Sequence, residues 1–234
     1  IDVSNYLKKR GERAYDLLFK LGDVFLPISE LWKRRLIELG CNSKIIVHRM
    51  GIDCNKFCFT ARKLPVGGVV EIVTVARLTE KKGVEYAIRA VAKLAKIKPN
   101  INYTIVGDGP LKEYLQQLIQ ELDVDNIVTL VGWKDQQEVI EIFKNSDIML
   151  APSVTSKNGD REGIPVAFME TMAMGLPIIS TAHSGIPELI ENGVSGFLVP
   201  ERDVDVLAER LNYLVENPGI WNKMGAAGRA FVEE

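Results

Sequence analysis

The sequence has few cysteines, almost no net charge and no long apolar run, and each shortage excludes a class of protein. Three cysteines in 234 residues are too few for a disulfide framework and fit a reducing compartment. A formal net charge of −2 argues against general nucleic-acid binding, which needs a strongly basic surface. No apolar run approaches the roughly 18 to 20 residues of a membrane span. These shortages predict a cytoplasmic protein with no nucleic-acid partner.

Both ends of the sequence look like internal parts of a longer chain. The start, residues 1–6, has neither an initiator methionine nor a signal-peptide pattern. Residues 228–234 have the pattern of a helix, so we expect the C-terminal helix to be truncated. A hydrophobic content of 47% and a charged content of 26% are typical of a globular protein with a full core.

From residue 69 onward, apolar runs alternate with amphipathic segments. Predicted strands cover 69–76, 103–106, 127–131, 148–151, 177–181 and 196–199. Predicted helices cover 84–95, 111–122, 138–143, 165–174 and 204–215. Alternation at this spacing predicts an α/β fold with a Rossmann-like, doubly wound parallel sheet. Ligands of such sheets bind beyond the carboxyl ends of the strands.

The preceding residues have a different pattern. Residues 5–39 contain two helical patterns with basic clusters, Lys8-Lys9-Arg10 and Lys33-Arg34-Arg35, and a short strand is predicted at 45–48. One interpretation of the clusters is peripheral contact with the inner face of a membrane. A solvated helix face is favoured, because Glu30 and Glu38 dilute the charge. Residues 56–68 have the composition of a linker.

The segment Asp160–Gly175 organises the rest of the chain. Pro165 suits the first position of a helix, and Gly175 suits the left-handed position just past its end. The residues between them are apolar on every face, which predicts a buried helix. Glu170 breaks this pattern, and a lone carboxylate there costs several kcal/mol unless it is hydrogen-bonded.

A second carboxylate, Glu162, lies in the loop before this helix. The unpaired amides of the first helical turn attract anions and lie between the two carboxylates. A phosphate with hydroxyl-bearing groups on either side would satisfy all three features, which indicates a nucleotide sugar. The alternative is that Glu170 pairs with a buried Arg or Lys and that Glu162 is an ordinary loop charge.

The other predicted strands also end in polar or glycine-rich turns. Arg77 and Lys82 follow the first strand and could clamp a diphosphate, whereas Lys81 fits a solvated turn. Gly107-Asp108-Gly109-Pro110 is a tight turn where glycine lets a ligand approach the backbone, without the third glycine of a dinucleotide fingerprint. Val131-Gly132-Trp133 could line a nucleobase pocket, or Trp133 could have a purely structural role. Gly185-Ile186-Pro187-Glu188 is a further turn near the same edge.

Metal ligands are not expected. Asp203-Val-Asp205 fits a helix cap and Asp123-Val-Asp125 a helix-end loop. Four residues of types that bind zinc fall within eighteen positions: Cys41, His48, Cys54 and Cys58. They lack paired Cys-x-x-Cys spacing, so buried thiols are the favoured interpretation of the cysteines. The cationic clamp would supply the charge of a metal.

Several motifs together resemble the family-four retaining glycosyltransferases of the GT-B fold. The motifs are Arg77…Lys82-Gly83, Val106-Gly107-Asp108-Gly109-Pro110, Glu162-Gly163-x-Pro165-x4-Glu170 and Gly193-x-x-Gly196-Phe197-Leu198-Val199. The resemblance covers roughly residues 45–215.

The resemblance implies a set of donor-site roles. Arg77 and Lys82 would hold the diphosphate and assist its departure, and Glu162 would contact the sugar hydroxyls; these three form the catalytic set. Glu170 would contact the ribose hydroxyls. The remaining predicted donor-binding residues are Gly107, Val131, Gly163, Ile164 and Pro165.

The resemblance also implies a domain organisation and an activity. Residues 1–55 would be a remnant of the N-terminal acceptor domain and the crossover, 56–68 a linker, and 69–234 the donor-binding domain. The implied enzyme moves a sugar from a nucleotide diphosphate to a hydroxyl acceptor, a glycan or lipid-linked glycan, in polysaccharide or glycolipid synthesis, with no cofactor or metal. The family's acceptor domain is missing, so we expect this fragment to be inactive alone.

Three other functions are alternatives to glycosyl transfer. A sugar-nucleotide epimerase of the same fold would have a similar donor half-site. The fragment could also act only by binding. A phosphate-switched receiver-like domain needs acidic residues after the first strand, where this chain has Ala76-Arg77.

Overall fold

A computed structural model describes residue 11, residues 15–62 and residues 68–234. The basic cluster Lys8-Lys9-Arg10 and residues 63–67 of the predicted linker lie outside the described residues. The helices are α1 (Asp16–Leu21), α2 (Glu30–Glu38), α3 (Val84–Ala95), α4 (Lys112–Glu121), α5 (Gln136–Lys144), α6 (Val166–Ala173), α7 (Val204–Glu216) and α8 (Trp221–Glu233). The strands are β1 (Val24–Phe25), β2 (Lys44–Ile45), β3 (Val70–Val75), β4 (Ile101–Val106), β5 (Val128–Gly132), β6 (Ile148–Ala151), β7 (Ile178–Thr181) and β8 (Gly196–Val199).

The strands β3 to β8 form one parallel sheet in the order β5-β4-β3-β6-β7-β8. From β3, the next two strands along the chain, β4 and β5, lie toward one edge of the sheet. The following strands, β6 to β8, lie on the other side of β3 and extend to the opposite edge. The crevice between β3 and β6 is therefore the topological switch point, where ligands of such sheets bind. The predicted α/β fold with a doubly wound parallel sheet is confirmed.

Helices cover both faces of the sheet. Alternate residues of one strand belong to different core clusters: Ile148 and Leu150 to one, Met149 and Ala151 to the other. Apolar residues of α3, α4 and α7 complete the first cluster, and those of α5 and α6 complete the second. Because β6 is buried on both faces, its sequence is a continuous apolar run.

The chain before the sheet contains α1, α2 and a separate two-stranded parallel pair, β1 and β2. Strand β2 ends at Ile45, whereas the sequence predicted a strand over 45–48. The backbone N–H of His48 still donates to the carbonyl of Pro27, at 2.8 Å. Pro27 has no N–H to donate in return, which explains why the regular ladder stops early.

The segment that leads into the sheet is fixed by two arginines. Residues 56–62 of the predicted linker have no regular secondary structure, but Phe57 and Arg62 are buried. The Arg62 guanidinium donates to the carbonyls of Phe143 and Met174, at 3.0 and 2.9 Å. Arg229 of α8 donates to the carbonyl of Phe57, at 2.8 Å. This part of the linker is thus anchored to the sheet domain.

The organising helix, α6, is shorter at its start than predicted. It begins at Val166, and Pro165 precedes it with an extended ψ of 125°. Gly175 has φ +82°, as its predicted left-handed position requires. The prediction of burial on every face was wrong at Val166, which is 47% exposed.

Candidate donor site

The loops after β3 and β6 pack tightly across the switch point. The backbone N–H of Val154 donates to the carbonyl of Lys81, at 2.9 Å. Gly83 has φ +62°, and a Cβ there would lie 1.8 Å from the carbonyl oxygen of Pro152. Only glycine permits this approach. The two loops that carry the predicted catalytic residues therefore form one wall of the crevice.

Lys82 and Glu162 meet at this wall. The Lys82 ammonium group forms an ion pair with the Glu162 carboxylate, and their side chains are 20% and 13% exposed. Beside them, Lys81 pairs with Asp160 at 3.2 Å. Lys81, predicted to lie in a solvated turn, is therefore held across the same crevice. Lys82 and Glu162, which are eighty residues apart in the sequence, are thus in contact. The sequence analysis predicted a diphosphate at the first and sugar hydroxyls at the second.

A cavity of about 470 Å³ lies at the carboxyl ends of β3, β4 and β5. Arg77, Gly107, Trp133 and Lys134 are among its lining residues. Trp133 is 72% exposed, so its ring is accessible for stacking. Val131 packs instead against the core cluster of α5 and α6, and its contact with a donor stays a prediction.

Gly107 is required for a reason that the sequence did not reveal. Its φ is +139°, and a Cβ there would lie 1.9 Å from the carbonyl oxygen of Ala76. A Cβ on Gly109 would lie 2.5 Å from the carbonyl oxygen of Leu78. Both glycines allow the turn after β4 to pack against the turn after β3. Their first role is therefore to let these two turns meet, and of the two glycines Gly107 also lines the cavity.

Glu170 is half-buried on α6. Burial raises the pKa of its carboxyl, while a hydrogen bond with the Gln136 side chain and the charge of Lys56 act in the opposite direction. The Lys56 ammonium group donates to the Gln136 side chain. The stated alternative was a buried Arg or Lys; Lys56 is instead exposed, and its ammonium group contacts Gln136. Gln136 begins α5, close in sequence to the cavity residue Lys134.

The remaining predicted residues lie between Glu162 and α6. The backbone N–H of Gly163 donates to its neighbour's carboxylate, Oε1 of Glu162, at 3.2 Å. Ile164 and Pro165 are buried, and Ile164 belongs to the core cluster of α5 and α6. A Cβ on Gly163 would lie 3.3 Å from the Ile28 side chain, so this loop contacts the first part of the chain.

Sequence reasoning missed His183, which follows β7. Its side chain is 1% exposed, and Nε2 accepts the backbone N–H of Glu162 at 3.0 Å. Its Nδ1 lies 2.6 Å from Oε1 of Glu201. The sequence did contain a signal for this residue. His183 lies two positions after the end of β7, as Arg77 lies two positions after the end of β3, and Arg77 was assigned to the site.

Glu188 joins the same edge of the sheet to α2. Its carboxylate accepts the backbone N–H groups of Glu30 and Leu31, at 2.8 and 2.9 Å. Ser29, the N-cap of α2, is fully buried. The turn after β7 therefore caps a helix from the first part of the chain.

Other predicted features have simple structural roles. Asp203 accepts the Val206 N–H at 3.0 Å, which confirms the predicted helix cap, and Asp123 lies in the turn after α4 with φ +54°. Of the cysteines, Cys41 is buried, Cys54 is half-buried and Cys58 is exposed, so the buried-thiol prediction was wrong for Cys58. Among the described residues, no three His, Cys, Asp or Glu side chains are grouped as metal ligands. None of the helices that the structure describes has the length and apolar character needed to cross a bilayer.

Comparison with known proteins decides the family. The family model "Glycosyl transferases group 1" matches residues 61–231. This chain belongs to that family. The matched range contains every predicted catalytic and donor-binding residue, and the resemblance drawn from the motifs is confirmed.

The relatives include the amylovoran biosynthesis glycosyltransferase AmsK of Erwinia amylovora, which is 44% identical over 234 residues, 99% of this chain and 57% of its own length. A GDP-mannose-dependent monoacylated alpha-(1-6)-phosphatidylinositol monomannoside mannosyltransferase of Corynebacterium glutamicum is 32% identical over 222 residues, 90% of this chain and 58% of its own length. The chain spans about half the length of the curated relatives that it matches.

A solved structure of similar fold is that of the Anabaena protein Alr3699/HepE in complex with UDP. It matches with a TM-score of 0.84 and 22% identity, over 98% of this chain and 64% of that chain. This likeness extends to the first part of the chain as well as to the sheet domain, and it supports the GT-B fold.

Proposed function

We propose that this chain is the donor-binding part of a retaining glycosyltransferase, which moves a sugar from a nucleoside diphosphate sugar to a hydroxyl group of an acceptor. The position of Lys82 and Glu162 carries the proposal. They pair across the crevice between β3 and β6, where ligands of doubly wound sheets bind. A cation suited to phosphate thus lies beside a carboxylate suited to sugar hydroxyls.

The nucleoside would occupy the cavity at the carboxyl ends of β3, β4 and β5, with the base against Trp133. Arg77, which lines the cavity, and Lys82 would hold the diphosphate. Glu170 would accept hydrogen bonds from the ribose hydroxyls. Its carboxyl contacts Gln136, the first residue of α5, which follows the cavity residue Lys134 by two positions.

The chemistry of the transfer places charge on the departing diphosphate. The bond from the anomeric carbon to the phosphate oxygen breaks, and a bond to the acceptor oxygen forms on the same face of the sugar. The proton of the acceptor hydroxyl passes to the departing phosphate oxygen. Arg77, Lys82 and the unpaired amides of the first turn of α6 would stabilise the negative charge that develops. Such preorganised stabilisation is often worth about 3 kcal/mol for each donor. The proposal requires no metal and no cofactor.

The acceptor would be a glycan or a lipid-linked glycan in polysaccharide or glycolipid synthesis, as the names of the relatives indicate for those proteins. A cytoplasmic location is a further part of this proposal, and contact of the basic clusters with a membrane is the alternative to a solvated helix face. In the second basic cluster, Lys33-Arg34-Arg35, Lys33 pairs with Glu30 and Arg35 pairs with Glu38. This pairing favours a solvated face for α2 over a lipid-binding face.

Calorimetric titration of this chain with UDP and with GDP tests donor binding. We expect one of the two to bind, and Lys82→Met to weaken that binding by about tenfold or more. Lys96→Met is the matched control, because Lys96 is exposed at the end of α3, away from the carboxyl ends of the strands. Failure of both nucleotides to bind would contradict the proposal.

A second experiment separates transfer from epimerisation. The full-length enzyme is incubated with the nucleotide sugar that binds, with and without an acceptor glycan. We expect a new glycosidic bond of retained configuration only when the acceptor is present. Formation of an epimeric nucleotide sugar without acceptor would favour the rival epimerase.

A further inference from the structure

The hydrogen bond between His183 and the backbone of Glu162 fixes the state of the imidazole ring. A backbone N–H can only donate, so Nε2 of His183 must be unprotonated and accept. The neutral ring then carries its proton on Nδ1 and donates it to Oε1 of Glu201, at 2.6 Å. The ring is thereby held in one tautomer and one orientation.

Glu201 is itself held as a carboxylate. It accepts the backbone N–H of Thr155 at 2.7 Å, and Arg202 lies 3.3 Å away. Burial tends to raise the pKa of the Glu201 carboxyl, but the hydrogen bonds of Thr155 and His183 outweigh burial and hold that pKa below its usual range. An ionised acceptor suits the Nδ1–H of His183.

The two ends of one loop are tied to this pair. Thr155 and Glu162 both belong to the connection between β6 and α6, while His183 follows β7 and Glu201 follows β8. The Glu201 carboxylate binds the start of the loop, and the His183 ring binds the peptide of Glu162. Two neighbouring strand ends therefore determine where the loop presents its carboxylate.

We infer that His183 and Glu201 are positioning residues for donor recognition, which orient the Glu162 peptide so that the Glu162 carboxylate faces the sugar of the bound donor. Neither residue touches the nucleotide. This inference rests on the proposed function and adds two residues outside the set given by the family motifs. Positioning matters because a displacement of about 1 Å at a reacting group can cost about 100-fold in rate.

An ordinary structural histidine would behave differently. Ser180 of β7 also makes a buried hydrogen bond, to the carbonyl of Ala151 at 2.8 Å, but it joins two strands and not the loop. Ser180→Ala is thus the matched control for loss of a buried hydrogen bond three residues before His183. Its variant should lose stability without changing the recognition of the sugar.

The test compares four variants: His183→Leu, His183→Gln, Glu201→Gln and Ser180→Ala. Affinities for UDP and UDP-glucose, and for GDP and GDP-mannose, give the increment that the sugar contributes to binding. We expect His183→Leu to reduce that increment by about tenfold and to leave the affinity for the diphosphate nearly unchanged. His183→Gln should retain most of it, since its amide oxygen reaches the position of Nε2.

Hydrogen exchange at the Glu162 amide, measured by NMR, gives a readout that is independent of nucleotide. We expect protection in the wild-type chain and in His183→Gln, and its loss in His183→Leu. If His183→Leu does not fold, Glu201→Gln takes its place, because loss of the charge weakens the hold on the ring and should raise the exchange rate.

Two results would overturn the inference. One is an unchanged sugar increment with unchanged Glu162 exchange in His183→Leu or Glu201→Gln. The other is an equal loss of diphosphate and sugar-nucleotide affinity, matched by Ser180→Ala, which would show a structural role alone. If the wild-type chain binds neither UDP nor GDP, the proposed function fails, and exchange at Glu162 alone decides whether His183 positions this loop.

Discussion

The ammonium group of Lys82 forms an ion pair with the carboxylate of Glu162, and this pair bridges the loops after β3 and β6. Both side chains are largely buried, so each charge depends on the other in the ligand-free chain. A bound donor would offer phosphate oxygens to the cation and hydroxyl groups to the carboxylate. The site is thus held in an ordered state before the ligand arrives.

A double-mutant cycle tests this pairing. Lys82→Met and Glu162→Gln should each lower the free energy of unfolding by about 1 to 3 kcal/mol, because each leaves a partly buried group without its partner. The double variant should lose less than the sum, with a coupling energy of about 1 kcal/mol or more. Urea unfolding measures each value. The exposed pair Lys93 and Asp205 is the control and should couple by less than about 1 kcal/mol. Additive losses at Lys82 and Glu162 would contradict the account.

Glu170→Gln should stabilise the ligand-free chain at neutral pH. Because burial raises the pKa of this carboxyl, the folded state binds its proton more tightly than the unfolded state. Protonated Glu170 therefore stabilises the folded chain fully below the ordinary pKa of 4.5. This stabilisation is lost as the pH rises through the folded-state pKa of Glu170.

Thermal unfolding of wild type and Glu170→Gln from pH 4 to pH 8 measures this difference. The gain of the variant should grow with pH above about 4.5 and disappear below it. Glu121→Gln, an exposed change at the end of α4, should show no such trend. The same Glu170→Gln variant should bind nucleotide more weakly, and a destabilised variant at pH 7 would contradict the prediction.

Arg62→Met should be among the most destabilising single changes in the described chain. The Arg62 guanidinium donates to the carbonyls of Thr60, Phe143, Ser146 and Met174, at 3.0, 3.0, 2.6 and 2.9 Å. Loss of the guanidinium leaves several buried carbonyls unpaired, and we expect a cost of about 3 kcal/mol or more in urea unfolding. Arg62→Lys should recover only part of this, since one ammonium group cannot reach the same set. Arg89→Met, which removes a partly exposed ion pair with Glu85 within α3, is the control and should cost less than about 1 kcal/mol.

Glu188→Ala should loosen α2 from the turn after β7. The change removes the acceptors of the Glu30 and Leu31 N–H groups, at a cost of about 0.5 to 2 kcal/mol. Hydrogen exchange at these two amides should accelerate, while exchange within α3 should not change. Glu38→Ala at the other end of α2 is the control. Unchanged exchange at Glu30 and Leu31 in the Glu188 variant would show that the cap is dispensable.

The sheet was predictable from sequence because its strands are short and largely apolar, and the inner strands β6 and β7 are buried at every residue. Each of the six strands β3 to β8 was predicted within two residues of its position in the structure. The end of α6 was predictable from Gly175, since the left-handed conformation there favours glycine. The early end of β2 was missed, because it depends on Pro27, two residues after the end of the paired strand β1, which local periodicity does not report.

The candidate site was predictable residue by residue only where local motifs exist. Lys82 and Glu162 were each assigned, but their ion pair depends on the order of β3 and β6 in the sheet. Glu170 was predicted to contact ribose hydroxyls, with a buried Arg or Lys as the alternative partner, whereas its partner in the structure is an amide, Gln136, which Lys56 also contacts. Contacts of this kind join distant segments, and spacing along the chain does not determine them.

The central claim is that the crevice between β3 and β6 is the donor site. The most direct measurement is a crystal structure of this chain with the nucleoside diphosphate sugar that it binds. We predict the diphosphate at Arg77 and Lys82, the ribose hydroxyls at Glu170 and the sugar hydroxyls at Glu162. A nucleotide bound elsewhere, or bound in the crevice with both carboxylates facing away from it, would contradict the account.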